Sequence, residues 1–84
     1  MENVKYFFKT DAEWPRENPA GILRRHSAGD EVYNFRLRRW TATDFFEKHR
    51  LGHQDFDFVE VPEEEAEQML AVKQRAQAER ERNG

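Results

Sequence analysis

Cysteine is absent from the 84-residue chain, which excludes disulfide scaffolds, thiolate metal sites and thiol nucleophiles. No run of about 18 apolar residues occurs, so we expect no membrane span. The first five residues lack the charged-then-apolar layout of a signal peptide. Together these absences predict a cytoplasmic protein that has no membrane partner.

Catalytic motifs and phosphate-binding glycine loops are also absent, and a single domain of this length has little volume in which to enclose a small-molecule pocket. His49 and His53 have the i, i+4 spacing of two zinc ligands, but that geometry requires a helix that continues through Gly52. The candidates for acid–base chemistry, by proximity alone, are His53, Asp55, Asp57 and Glu60. We therefore expect no enzymatic activity, no metal site and no cofactor.

The composition nevertheless favours a folded domain. A mean hydropathy of -1.11 and a charged fraction of 37% lean toward disorder. Against this, aromatic residues make up 13% of the chain, and each ring can bury a large apolar area. The sequence thus predicts one small domain with an aromatic-rich core and polar ends.

Charge is distributed unevenly along the chain. Residues 1–54 contain ten basic and eight acidic side chains, whereas residues 55–84 contain four basic and nine acidic ones. The net charge is -3 and the pI is about 5.6, so the long-range field does not favour binding to a polyanion.

Four segments have strand-forming composition, at residues 4–9, 21–26, 32–40 and 55–61. The third alternates, with apolar Tyr33, Phe35 and Leu37 set against polar Asn34, Arg36 and Arg38. Period-2 alternation predicts one continuous strand with Leu37 on the buried face and Arg36 and Arg38 on the wet face. In the fourth segment the apolar parity changes after Phe58, which predicts either a bulge or a strand whose two faces are both partly covered at that end.

Two helices are predicted. Thr41 and Asp44 resemble a capping box that opens a helix of about ten residues, and Gly52 suits its left-handed C-terminal stop. Pro62 can open the second helix, whose apolar stripe consists of Ala66, Met69, Leu70 and Lys73, widened by Val72.

The expected fold is therefore α+β, with the element order β-β-β-α-β-α and a small antiparallel sheet packed by one or two helices. Residues 1–72 form the predicted domain. Residues 73–84 are expected to be a solvated helix end that frays into coil.

Protein recognition is the favoured function, because Trp and Arg dominate the energetics of interfaces. The predicted partner-binding residues are Trp14, Arg24, Arg36, Arg38 and Trp40. An accessory nucleic-acid-binding role is the alternative, using arginines and aromatic rings on one open sheet face. A self-assembling structural protein, and with it a homo-oligomer, is the second alternative.

Five segments also carry a resemblance: Gly21–Arg25, Leu37–Trp40 running into Thr43–Phe45, Leu51–Asp55, Val59–Val61 and Glu63–Ala66. In this order they resemble short uncharacterised proteins from high-GC Gram-positive (actinobacterial) bacteria and their phages. No activity, cofactor or binding residue is assigned to that class, so none is carried over. The resemblance implies a small cytosolic protein, for which modulation of a host protein by a phage-encoded chain is one use.

Overall fold

The computed structural model describes residues 3–52 and 56–83. Within them the strands are β1 (Lys5–Thr10), β2 (Gly21–His26), β3 (Gly29–Asn34), β4 (Arg39–Ala42) and β5 (Asp57–Val61), and the helices are α1 (Phe45–Arg50) and α2 (Glu63–Asn83). The strands form one antiparallel sheet in the order β4-β3-β2-β1-β5. The predicted α+β class is confirmed.

Each face of the sheet is packed by one helix. Successive strand residues point to opposite faces, so Phe7 and Phe8 belong to different clusters. On the α1 face the buried residues are Phe7, Leu23, Phe45 and Phe46. On the α2 face they are Phe8, Ile22, Val61 and Ala66. The chain therefore builds two small cores back to back across the sheet.

Aromatic rings fill the α1 face of the sheet. The Phe46 ring lies 5.0 Å from the rings of both Phe7 and Phe58, in edge-to-face geometry. Such pairs stabilise a fold by about 0.5–1.5 kcal/mol beyond the burial of their area. The two buried side chains of α1, Phe45 and Phe46, can thus anchor this six-residue helix on the sheet.

The continuous strand predicted for residues 32–40 is wrong. Strand β3 ends at Asn34, residues 35–38 form a turn, and β4 pairs back on β3 with Tyr33 opposite Trp40. The Asn34 side chain accepts a hydrogen bond from the Leu37 amide at 3.0 Å, and Arg38 takes a left-handed φ of 59°. Because Leu37 lies in this turn, its side chain is 51% exposed rather than buried.

The start of α1 also differs from its prediction. Thr41 belongs to β4, opposite Val32, so it cannot cap a helix. The helix follows Asp44 instead, and the Thr43 hydroxyl accepts a hydrogen bond from the Phe45 amide at 3.2 Å. The predicted left-handed residue after the helix is confirmed, because Gly52 has a φ of 79°.

Strand β5 distinguishes between the two alternatives predicted from the change in apolar alternation after Phe58. It pairs with β1 residue by residue from Asp57 to Val61, so the described strand has no bulge. Phe58 packs against the α1 cluster, whereas Val59 packs against the α2 cluster. Because Phe58 is still 36% exposed, a strand partly covered on both faces is the correct alternative.

Helix α2 begins directly after Pro62, as predicted, and buries Ala66 completely. Val72 does not widen its packed stripe, because the side chain is 56% exposed. The helix continues to Asn83 where we expected fraying, and the division of the chain at residue 72 stays a prediction. In the described ranges, neither helix has the length and apolar character needed to cross a bilayer.

Candidate partner-binding site

The five predicted partner-binding residues occupy three separate places. Arg24 and Trp40 lie together on the α2 face of the sheet. Arg36 and Arg38 are exposed in the turn that joins β3 to β4. Trp14 lies in the loop between β1 and β2. The fold therefore does not assemble them into one surface.

Arg24 and Trp40 belong to an internally satisfied network. The Arg24 guanidinium lies 4.3 Å from the Trp40 ring, and its Nε donates to Glu31 Oε1 at 2.7 Å. The same carboxylate oxygen lies 2.7 Å from His26 Nε2. Hydrogen bonds with His26 and then Arg24 hold the pKa of Glu31 below its ordinary value. These contacts fix the end of the β2–β3 hairpin and leave this arginine's charge compensated.

The single arginine face predicted for the sheet does not form. Arg25 lies on the α1 face, where its guanidinium covers the Phe46 ring at 4.3 Å and pairs with Asp30 at 2.8 Å. Arg24 lies on the opposite face, because adjacent strand residues alternate. In the turn, Arg38 pairs with Glu81 of α2 at 2.7 Å. Arg24, Arg25 and Arg38 thus already have carboxylate partners.

Trp14 lies in a tightly turned loop. The Asp11 carboxylate accepts hydrogen bonds from the backbone amides of Glu13 and Trp14, both at 2.8 Å. The Asn18 backbone N–H then donates to the Pro15 carbonyl at 2.9 Å, and Pro19 is buried. Local hydrogen bonds and two prolines restrict this loop, so Trp14 has a defined position.

Side-chain contacts tie the loop to α2. Arg16 donates two hydrogen bonds to the Glu65 carboxylate, at 2.9 and 2.8 Å, and this pairing lowers the pKa of Glu65. Further along the helix, Lys73 Nζ donates to Asn18 Oδ1 at 3.2 Å and lies 5.9 Å from the Trp14 ring. The loop and the helix therefore form the two walls of one feature.

That feature is a cleft of about 440 Å³. Its lining residues are Trp14, Asn18, Ala20, Phe35, Val72, Lys73, Ala76, Gln77 and Arg80. Trp14 is 39% exposed, so its ring and the Val72 side chain both present apolar surface to solvent. Gln77 Nε2 donates to the Phe35 carbonyl at 2.9 Å, which anchors this part of the helix to the β3–β4 turn.

The charge of the cleft has one sign. Lys73 and Arg80 line it, and none of its nine lining residues is acidic. Among described residues neither cation has a carboxylate within ion-pair distance. Burial, and then the positive charge of Arg80, lower the pKa of Lys73. The cleft thus combines an apolar surface with two uncompensated cations.

Sequence reasoning found only Trp14 among these residues. For the lining residues on α2 the available signal is the i, i+4, i+8 spacing of Val72, Ala76 and Arg80, which places them on one helix face. That face was assigned to a packed stripe and a frayed tail. Only the position of the loop beside α2 shows it as the wall of a cleft.

Part of the histidine and acidic cluster singled out in the sequence, His53 and Asp55, lies outside the described residues. Of the others, His49 Nε2 lies 3.2 Å from Asp57 Oδ1, and Glu60 is exposed. Residues 3–52 and 56–83 contain no group of three or more side chains that could hold a metal ion.

Comparison of the chain with models of protein families, with curated proteins and with solved structures gave no match. The resemblance to short actinobacterial and phage proteins stays a prediction.

Proposed function

We propose that the chain is a small non-enzymatic binding protein, and that it binds a peptide segment of another protein through a large apolar side chain inserted beside Trp14. The observation that carries this proposal is the cleft between the β1–β2 loop and α2, with Trp14 and Val72 exposed at its walls. In the setting that the sequence resemblance implies, the partner would be a bacterial host protein.

The shape and composition of the cleft support this function. A volume of about 440 Å³ is ample for one large side chain, and Ala20 and Ala76 leave that space open. Tryptophan is enriched among the residues that dominate binding energy, because its large ring loses little conformational entropy. The hydrogen bonds of Arg16 to Glu65 hold both walls in place before binding, which reduces the entropic cost of association.

The contacts of the arginines argue against the nucleic-acid alternative. A β-sheet that binds single-stranded nucleic acid needs exposed guanidinium groups and aromatic rings on one face. Here Arg24 and Arg25 point to opposite faces, and each pairs with a carboxylate on the neighbouring strand. Within residues 3–52 and 56–83, no carboxylate pairs with the two cations of the Trp14 cleft.

Selection from a random peptide library displayed on yeast, with the full chain as bait, tests the proposal. We expect selected peptides to share a large apolar residue. Their binding should weaken at least about tenfold in Ala76→Leu, which fills the cleft. Leucine and alanine are both strong helix formers, so the variant should keep its helix.

Ala71→Leu is the matched control, because Ala71 is exposed on the same helix and does not line the cleft. It should bind the selected peptides as tightly as the parent chain. Peptides that bind Ala76→Leu undiminished, or a library that yields no binder, would overturn the proposal. A melting temperature that rises with protein concentration would instead support the self-assembly alternative.

A further inference from the structure

The basic residues that line the cleft, Lys73 and Arg80, indicate the charge of the partner. Lys73 is half-buried, and the acceptor for its ammonium is the amide oxygen of Asn18 rather than a carboxylate. By contrast, Arg16 and Arg38, which also contact α2, each have a glutamate partner on that helix. Among the described residues Lys73 and Arg80 have no carboxylate within ion-pair distance, and neither do exposed Arg75 and Arg82, but of these four only Lys73 and Arg80 line the cleft.

The two unpaired cations bracket the apolar part of the wall. Lys73 and Arg80 are seven residues apart, which places them on one helix face about 10 Å apart along its axis. Ala76 lies between them. A side chain that enters over Ala76 therefore has a cation within reach on either side.

The occupant that best complements this arrangement is acidic. Lys73 has a lowered pKa because its charge is partly desolvated and lies near the charge of Arg80. A carboxylate in the cleft would offset both unfavourable effects. Charge-assisted hydrogen bonds from ammonium or guanidinium groups to a carboxylate are also stronger than neutral ones.

We infer that the cleft recognises a segment in which a carboxylate lies next to the inserted apolar side chain, with the carboxylate bound by Lys73 and Arg80. This inference rests on the proposed function and names the chemistry of its partner. The apolar side chain would contact Trp14, Val72 and Ala76. The carboxylate would replace the weaker acceptor that Asn18 now offers to Lys73.

Two small probes distinguish binding of the apolar group from binding of the carboxylate. 3-Phenylpropionate and 3-phenylpropionamide share a ring and a chain length but differ in charge. Each is titrated into the full ¹⁵N-labelled chain, with the Trp14 indole N–H and the Ala76 amide followed by NMR. We expect the acid to bind at least about threefold more tightly than the amide at low salt, the range of a partly exposed ion pair.

The double variant Lys73→Gln, Arg80→Gln should bind both probes with the affinity that the parent shows for the amide. Its matched control is Arg75→Gln, Arg82→Gln. These two arginines are also seven residues apart on α2 and are exposed, but they do not line the cleft. The control removes the same charge and should keep the preference for the acid.

The outcomes are distinguishable. Equal binding of acid and amide to the parent chain would overturn the inference and leave the proposed function standing. Loss of the preference in the Arg75, Arg82 control would overturn it too, because the net charge rather than the cleft would then select the acid. If neither probe shifts Trp14 or Ala76, the apolar site itself is wrong and both proposals fail.

Discussion

The two halves of α2 differ in how they contact the sheet. In residues 63–70, Ala66 is fully buried and Met69 and Leu70 pack against the α2-face cluster. In residues 71–83 long polar side chains contact Tyr33 of β3, the β3–β4 turn and Asn18 of the β1–β2 loop. One continuous helix thus combines a segment that stabilises the core with a segment that forms a surface.

The difference follows from the side chains that α2 directs toward the rest of the chain. Ala66 lets the helix approach Phe8 and Ile22 closely, since its methyl group takes little space. Further along, Gln74 and Gln77 reach the Tyr33 hydroxyl and the Phe35 carbonyl at 2.8 and 2.9 Å. Long polar side chains hold the helix without filling the space beneath it. The Trp14 cleft lies in the space that they leave.

Ala66→Asp should have the largest effect, because it places an unpaired carboxylate in the core between helix and sheet. We expect a loss of about 3 kcal/mol or more in the free energy of unfolding, a large part of the stability of a small domain. Ala76→Asp makes the same change in the other half of α2. It should cost no more than about 1 kcal/mol, since Ala76 is exposed and only helix propensity is lost.

Urea denaturation followed by circular dichroism measures both variants under the same conditions. Equal destabilisation would contradict the division of α2 into a packed half and a surface half. Ala71→Asp serves as the control for helix propensity alone, because Ala71 is exposed and lines neither the cleft nor the core.

Deletion of residues 75–84 should have an intermediate effect. It removes the hydrogen bond from Gln77 to the Phe35 carbonyl and the exposed ion pair of Glu81 with Arg38. These contribute about 1 kcal/mol and less than about 1 kcal/mol, respectively. We expect the melting temperature to fall by roughly 5–10 °C, since each kcal/mol corresponds to about 4–8 °C in a domain of this size.

The point variant Gln77→Ala should account for about half of that fall. A melting temperature unchanged by the deletion would show that residues 75–84 form a frayed tail, as the sequence alone predicts. The domain would then end before residue 75, which is consistent with the predicted boundary at residue 72.

Local patterns were sufficient for most of the fold. Aromatic and β-branched runs located β1 and β5, and Pro62 followed by glutamates located the start of α2. The pattern failed at residues 32–40 because alternation continues by chance through the turn. Asn34 was assigned to the polar face of a strand, whereas its side chain accepts a hydrogen bond from the Leu37 amide.

The site was less predictable, because it depends on distant segments. Trp14 could be singled out from its prolines, but its neighbour Lys73 is 59 positions away in sequence. Periodicity places Val72 beside the packed stripe of α2. It does not show that the β1–β2 loop lies next to this part of the helix. Arg24 and Trp40 were predicted from their residue types and their places on predicted strands, whereas the register of β2 with β3 places Arg24 opposite Glu31.

Leu37→Asp should have the smallest effect and tests the turn against which the second half of α2 rests. Leu37 is 51% exposed, so we expect a change within about 0.5 kcal/mol in the free energy of unfolding. Leu23→Asp is the matched control, because Leu23 is 1% exposed in the α1-face cluster and should unfold the domain. If both variants unfold in the same urea titration, Leu37 is buried, residues 32–40 form one strand, and α2 loses the turn that Gln77 and Glu81 contact.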